Sequence, residues 1–143
     1  MVPEWNAEKC IQCNQCAFVC SHATIRPFCL TAAEAEAAPA STKLADTKPK
    51  ASEYKFTMAV SPLDCMGCGE CVTVCPTAAI EMKPQESQSE QQAAFDYCVE
   101  NIRKKDNIPG VVSEVSVKAP SSTSRCLSSP APALAAPRPL TPA

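Results

Sequence analysis

The chain has 143 residues, a formal net charge of −2 and an aromatic content of only 5%. This composition gives no basic stripe for nucleic acid, and no segment approaches the roughly 20 apolar residues that cross a membrane. Nearly all of the 14 prolines lie outside two cysteine-rich stretches, so we expect much of the chain to lack a conventional core.

The first motif is a run of four cysteines, Cys10-x2-Cys13-x2-Cys16-x3-Cys20. Three thiolates at steps of three can bind three irons of one cuboid 4Fe-4S cluster, because the backbone between them wraps round it in a tight loop. The fourth thiolate, four residues further on, points away from that loop. Trp5 precedes the run, and we expect it to cover the cluster.

Two strands and an insertion follow the first motif. TIRPFCL predicts a short strand that carries Ile25 and Phe28, and Pro27 confines that strand to the edge of a sheet. Residues 31–53 are rich in Ala, Lys, Glu and Pro without a sustained period, which predicts an exposed insertion rather than a second domain. YKFTMAV at 54–60 alternates and predicts a strand that leads into the second motif.

The second motif repeats the first spacing as Cys65-x2-Cys68-x2-Cys71-x3-Cys75 and is closed by Pro76. Eight cysteines in this pattern are the ligands of two 4Fe-4S clusters, and the fourth cysteine of each run binds the cluster of the other run. One cluster is therefore assigned to Cys10, Cys13, Cys16 and Cys75, and the other to Cys20, Cys65, Cys68 and Cys71.

The repeat extends beyond the ligands, since EKCIQCNQCAFVCSHATI aligns with LDCMGCGECVTVCPTAAI at an offset of 55 residues. Duplication of this kind predicts a pseudo-twofold domain whose halves complete each other's sites. Gly67 and Gly69 lie in the second loop, where glycine allows left-handed dihedrals. The first loop has Gln12 and Asn14 instead, so we expect the two clusters to have unequal reduction potentials.

Zinc and disulfide bonds are the rival interpretations of so many cysteines. A zinc ribbon takes two cysteines from each of two knuckles and leaves no role for a third and fourth at regular spacing. A disulfide scaffold needs an oxidising compartment, whereas the start MVPEWNAEKC has no apolar signal region. We interpret His22 as a surface residue, and Cys29, Cys98 and Cys126 as ordinary thiols.

A strand and a helix follow the second motif. AIEM at 79–82 predicts a strand, and residues 85–118 predict a linker made of a helix and a further strand at 111–117. Ser89 and Gln92 suggest a capping box at the start of the helix. The helix has a single apolar stripe that needs a surface to lie on, either the cluster domain or a surface absent from this chain, and we expect the absent one. The stripe consists of Phe95, Cys98, Val99 and Ile102.

These elements predict an α+β fold. Residues 1–84 form a bacterial two-4Fe-4S ferredoxin-like domain with a pseudo-twofold repeat and an inserted loop at 31–53. A C-terminal helix lies in the linker at 85–118, and a disordered tail occupies 119–143, where Pro, Ala and Ser dominate. Cluster ligation replaces the missing apolar core in a domain of this size.

Four segments of the sequence resemble one known family closely. They are VPEW at 2–5, KCIQCNQCAFVC at 9–20, VSPLDCMGCGECVTVC at 60–75 and MKPQESQ at 82–88. All four resemble the ferredoxin-like domain of pyruvate:ferredoxin (flavodoxin) oxidoreductase, a thiamine-dependent 2-oxoacid oxidoreductase. The resemblance implies that the eight run cysteines are the cluster ligands. It further implies a cytoplasmic protein of anaerobic pyruvate metabolism that passes electrons to ferredoxin or flavodoxin.

The pyruvate-binding and thiamine domains of that family have no match here, so we expect the chain to be an electron-transfer fragment without a catalytic thiamine site. Its partners are then the remainder of the enzyme and the external acceptor, with no nucleic acid and no membrane. The alternative is a free-standing, diffusible two-4Fe-4S ferredoxin. Purely structural clusters are a third and weaker alternative.

The resemblance stops near Lys118, where the family continues into its thiamine domain. DNA that encodes the continuation GSQFNEQVFEFSGACAGC can, with one nucleotide skipped and suitable third bases, encode residues 119–136 of this chain. We therefore expect the tail to be a reading-frame artefact in which Cys126 has no function.

Overall fold

The computed structural model describes residues 1–48 and 53–102. Within them the fold combines short helices with short antiparallel strands, as the α+β prediction requires. The strands are β1 (Val2–Trp5), β2 (Ile25–Thr31), β3 (Ala45–Asp46), β4 (Tyr54–Val60) and β5 (Ile80–Lys83). The helices are α1 (Gln15–Val19), α2 (Ala32–Glu36), α3 (Glu70–Thr73), α4 (Glu90–Asn101) and a 3-10 helix at Gln85–Gln88.

A two-stranded ladder joins the two ends of the cysteine-rich region. Strand β1 pairs antiparallel with β5, and the register places Val2 opposite Lys83 and Trp5 opposite Ile80. Strand β1 leads into the first cysteine run, whereas β5 follows the second run. The ladder therefore holds the start of one run beside the end of the other.

The second sheet has the order β2-β4-β3, with both pairings antiparallel. Strand β2 lies at the edge, the position that Pro27 predicted because proline cannot donate to a neighbouring strand. One face of β4 supplies Phe56, Met58 and Val60 to the main core. Trp5 packs edge-on against Phe56 with the ring centroids 5.9 Å apart.

The described part of the insertion contains regular structure that its composition did not predict. Thr31 and Glu34 form a capping box at the start of α2, and β3 pairs with β4. The Thr57 hydroxyl donates a hydrogen bond to the Lys43 carbonyl at 2.6 Å. These contacts fasten both ends of the described insertion to the second sheet.

Helix α4 packs on the domain itself, so the predicted lack of a docking surface is wrong. Phe95 and Cys98 are buried and form a small core with Ala59 of β4. The Arg26 guanidinium lies 5.4 Å from the centre of the Phe95 ring. The sequence stripe could not identify this surface, because Ala59 lies far from the helix in sequence and shares no periodic pattern with it.

The predicted capping box at Ser89 and Gln92 is also wrong. Ser89 has helical dihedrals and its side chain makes no capping hydrogen bond, since the 3-10 helix runs directly into α4. The Gln92 amide oxygen accepts hydrogen bonds from the Ser61 hydroxyl and the Leu63 N–H instead. Gln92 therefore ties α4 to the chain that enters the second cysteine run.

In the part of the chain that the structure describes, no helix has the length and apolar character that crossing a bilayer requires. The strand predicted at 111–117 and the tail at 119–143 lie outside the described residues.

Replacing Phe95 with Ala should release α4 from β4. The ring is 8% exposed, and loss of a buried Phe side chain costs about 3–5 kcal/mol. Hydrogen exchange across residues 90–101 should accelerate strongly in Phe95→Ala and less in Phe95→Leu, which keeps most of the apolar volume. Unchanged exchange in Phe95→Ala would show that α4 is held by other contacts.

Candidate metal centres

The first cysteine loop turns on two residues with left-handed backbone. Gln12 has φ 60° and Asn14 has φ 61°. Asn14 precedes α1, and its carbonyl accepts hydrogen bonds from the N–H groups of Ala17 and Phe18. The alternation of left-handed and ordinary residues brings Cys10, Cys13 and Cys16 round one concave surface.

The second loop reaches the same form with glycine. Gly67 has φ 71° and Gly69 has φ 81°, and Gly69 precedes α3. A Cβ atom at Gly67 would lie 2.6 Å from the Met1 carbonyl oxygen, whereas a Cβ at Gly69 would meet nothing within 4 Å. Gly67 is therefore required by both space and dihedral angle, and Gly69 by dihedral angle alone.

A further left-handed residue follows the last cysteine of each run. Ala23 has φ 51° and Ala78 has φ 49°, and their N–H groups donate to the carbonyls of Cys20 and Cys75. This conformation costs an L residue with a Cβ roughly 1–2 kcal/mol. The match of Ala23 with Ala78 in the repeat was the only sequence signal for these turns.

The loops line two open cavities, each bordered by four run cysteines. The first cavity is lined by Cys10, Cys13 and Cys16 of the first run with Cys75 of the second. The second cavity is lined by Cys65, Cys68 and Cys71 of the second run with Cys20 of the first. The structure thus brings together all eight cysteines singled out in the sequence, in two groups of four.

Backbone N–H groups point at several of these sulfurs. The Gln12 N–H donates to Cys10 Sγ at 3.3 Å, and the Gly67 N–H donates to Cys65 Sγ at 3.4 Å. The Ala79 N–H donates to Cys75 Sγ at 3.2 Å. Hydrogen bonds to ligand sulfurs stabilise thiolates and are one of the means by which proteins set cluster potentials.

The thiol pKa values show that burial and neighbouring sulfurs disfavour ionisation of the central cysteines. Burial, followed by the neighbouring Cys10, raises the pKa of Cys16 to about 12. Burial also raises the pKa of Cys71 to about 11, with smaller contributions from Cys65, Cys20 and Cys68. Bound metal deprotonates a coordinating thiol, so cations in the cavities would offset this cost.

The last cysteine of each run has a lowered thiol pKa, in contrast to Cys16 and Cys71. Burial acts to raise the pKa of Cys20, but hydrogen bonds from Thr24 and from backbone N–H groups outweigh it and leave the pKa lowered. The pKa of Cys75 is lowered in the same way, by hydrogen bonds from the backbone of Ala79 and Thr77.

The cysteines of each cavity are not arranged round a single ion. In residues 1–48 and 53–102, no group of three or more His, Cys, Asp or Glu side chains is placed to hold a single metal ion. A structural zinc needs four ligands at about 2.0–2.3 Å from one centre. In a 4Fe-4S cluster each thiolate binds a different iron, so four separated sulfurs round a cavity fit that cofactor.

The other residues singled out in the sequence lie at different places relative to the two cavities. Trp5 is buried and lines the first cavity, as expected of a cover. His22 is exposed, lies at the rim of the second cavity and pairs with the Ser21 hydroxyl. Cys29 and Cys98 are buried away from both cavities, and burial raises the pKa of Cys98 to about 12.

A search against protein-family models supports the site. The model for the 4Fe-4S dicluster domain matches residues 9–79, which include both cysteine runs. Residues 9–79 are a 4Fe-4S dicluster domain. The domain implies two 4Fe-4S clusters, in agreement with the eight run cysteines of the sequence and the two cavities of the structure.

In similar proteins the matching region is a small part of a much longer chain. The chain is 46% identical over 100 residues to a pyruvate-flavodoxin oxidoreductase of Klebsiella pneumoniae and 44% identical to that of Enterobacter agglomerans, with 68% of the chain covered in both. It is 43% identical over 100 residues to a pyruvate:ferredoxin oxidoreductase of Moorella thermoacetica, with 67% covered. The matched region is about 8% of each relative.

The dicluster domain is therefore homologous to the ferredoxin-like segment of these oxidoreductases, and the homology implies electron transfer. The resemblance seen in the sequence is confirmed.

The two loop glycines should differ in their tolerance of a methyl group. Gly69→Ala meets open space and should lose only the roughly 1–2 kcal/mol of the left-handed dihedral. Gly67→Ala adds a contact with the Met1 backbone and should destabilise the iron-loaded protein more, as measured by its denaturant midpoint and iron content. Equal losses in the two variants would contradict the close approach at Gly67.

Proposed function

We propose that the run cysteines bind two 4Fe-4S clusters with crossed ligation. Cys10, Cys13, Cys16 and Cys75 hold the cluster of the first cavity, and Cys20, Cys65, Cys68 and Cys71 hold that of the second. The lining of the two cavities supports this assignment. The contribution of Cys20 to the raised pKa of Cys71 agrees with it, because that effect requires the two sulfurs to lie near each other.

We also propose that the two runs form a pseudo-twofold domain interrupted by the insertion at 31–53. Left-handed residues occur at positions 55 apart: Gln12 and Gly67, Asn14 and Gly69, Ala23 and Ala78. Both runs also contain the same hydrogen bond to the sulfur of their first cysteine: the Gln12 N–H donates to Cys10 Sγ, and the Gly67 N–H donates to Cys65 Sγ. The local backbone is thus repeated where the side chains differ.

The function that these features support best is electron transfer between two neighbouring clusters, as the ferredoxin-like segment of a 2-oxoacid oxidoreductase. The single observation that carries this proposal is the crossed pair of cavities: Cys16 of α1 lines the first, Cys71 of α3 lines the second, and these two helices pack against each other. Cys16 of the first cavity and Cys71 of the second are near enough for their charges to interact. The clusters are one-electron carriers, and short separations favour passage between them.

Residues of this chain contribute to the two cluster sites in three ways. Cysteine thiolates bind iron, backbone N–H groups donate to their sulfurs, and buried Trp5, Ile25 and Ile80 exclude water. Ile11 and Val19 lie beside run cysteines in the sequence but are 47% and 39% exposed, so they do not exclude water in the same way. The named relatives support the remainder of such an enzyme as a partner and flavodoxin or ferredoxin as the external acceptor. A cytoplasmic location is part of the same proposal.

One observation favours the alternative of a free-standing ferredoxin. Helix α4 buries Phe95 and Cys98 against the domain's own β4, so its apolar side needs no second protein. In this alternative the chain is a diffusible carrier, with the same clusters and the same crossed ligands.

The proposal predicts the cofactor content and activity of the purified 143-residue chain. Prepared without oxygen, it should bind about eight irons and eight sulfides, and on reduction should show the EPR spectrum of two interacting clusters. The reduced chain should pass electrons to flavodoxin, yet no dye should be reduced when pyruvate, coenzyme A and thiamine diphosphate are supplied to it.

Two outcomes would overturn these assignments. Stoichiometric zinc without iron after anaerobic reconstitution would contradict the cluster assignment. Pyruvate-dependent dye reduction by the pure chain would contradict an electron-transfer role without a catalytic site. Mixing the chain with a 2-oxoacid oxidoreductase distinguishes the free carrier from the enzyme segment. Only a diffusible carrier should accept electrons from that enzyme in solution.

A further inference from the structure

We propose that residues 45–48, here called the strap, hold the first cysteine loop in place through Gln12, which makes Gln12 a positioning residue for one cluster only. The inference rests on the crossed ligand assignment proposed above. It goes further, because it gives the insertion a role and distinguishes the two clusters by their surroundings.

Gln12 bridges the loop and the strap with both ends of its side-chain amide. Its Nε2 donates to the Asp46 carbonyl at 2.7 Å, and its Oε1 accepts from the Lys48 N–H at 2.7 Å. These two main-chain groups flank Thr47, so the amide takes the place of one residue of a neighbouring strand. The Gln12 residue is 2% exposed, which shields both hydrogen bonds from water.

The choice of glutamine at this position runs against backbone preference. Gln12 has φ 60°, a region that favours glycine, and the equivalent residue of the second loop is Gly67. A side chain that strains the backbone is retained where it makes contacts that glycine cannot make. The paired hydrogen bonds to the strap are such contacts.

Lys48 makes a second contact between the strap and the first cysteine loop, at Cys10. Its Nζ donates to the Cys10 carbonyl at 2.8 Å, while the Gln12 N–H donates to Cys10 Sγ. The ammonium group therefore lies within one residue of a ligand sulfur. Reduction adds negative charge to a cluster, so a nearby cation favours the reduced form and raises the potential.

The strap is itself anchored to the sheet. Ala45 and Asp46 pair with Phe56 and Lys55 of β4, and Thr47 is buried. At the corresponding place in the second loop, Gly67 has no side chain that could form an equivalent bridge. The first cluster should therefore depend on the strap, whereas the second should not.

The first test is Gln12→Gly, which relaxes the backbone and removes the bridge. An iron chelator should extract one cluster roughly ten times faster than in the unmodified chain, the ratio expected from the net loss of one or two hydrogen bonds. The other cluster should leave at its original rate. The hyperfine-shifted β-proton NMR signals of the ligand cysteines identify which cluster is lost.

The second test is Lys48→Gln, with Lys55→Gln as its matched control. Both remove one partly exposed lysine charge next to the strap, but Lys55 pairs with Asp46 and not with the cysteine loop. Lys48→Gln should lower the potential of the first cluster alone in an EPR-monitored titration. Lys55→Gln should leave both potentials unchanged.

Three other outcomes would contradict the role of Gln12, the role of the strap or the proposed function. Equal extraction rates in Gln12→Gly and the unmodified chain, or equal acceleration of both clusters, would overturn the role of Gln12. If Gln12→Gly fails to assemble, the potentials of the two lysine variants decide instead, and equal shifts in both would overturn the inference. An unmodified chain that binds no iron would refute the proposed function rather than the strap.

Discussion

The fold depends on one geometric constraint: three thiols separated by two residues each must face the same small space. An ordinary backbone cannot turn that sharply, so each loop uses two left-handed residues, Gln12 and Asn14 in one and Gly67 and Gly69 in the other. Glycine meets this demand without strain and asparagine tolerates it, but glutamine does not. The first loop therefore needs support from elsewhere in the chain, and the insertion supplies it through the bridge to Gln12.

The remaining architecture brings the two loops together. The β1–β5 ladder joins the start of one run to the end of the other, and α1 packs against α3. Cys20 and Cys75 consequently line the cavity of the opposite run. The core beneath them is small and includes several of the run cysteines themselves. Metal ligation is thus expected to contribute much of the folding free energy, as in other small metal-binding domains.

Features that carry a sequence pattern were predictable, and long-range contacts without such a pattern were not. Alternation in 54–60 predicted β4 with its observed bounds, and Pro27 predicted an edge strand. Cysteine spacing predicted the grouping round the two cavities. The strap contacts escaped prediction because Gln12 lies about 35 residues from its partners and shares no periodic pattern with them. The capping box at Ser89 failed because the preceding 3-10 helix had already made that residue helical.

Crossed ligation is the central claim, and replacing Cys20 with Ala tests it most directly. Cys20 lies in the first run but lines the second cavity. In the anaerobically loaded variant, the NMR signals of Cys65, Cys68 and Cys71 should shift or disappear, while those of Cys10, Cys13 and Cys16 persist. Loss of the cluster bound by Cys10, Cys13 and Cys16, with the other cluster intact, would contradict the account.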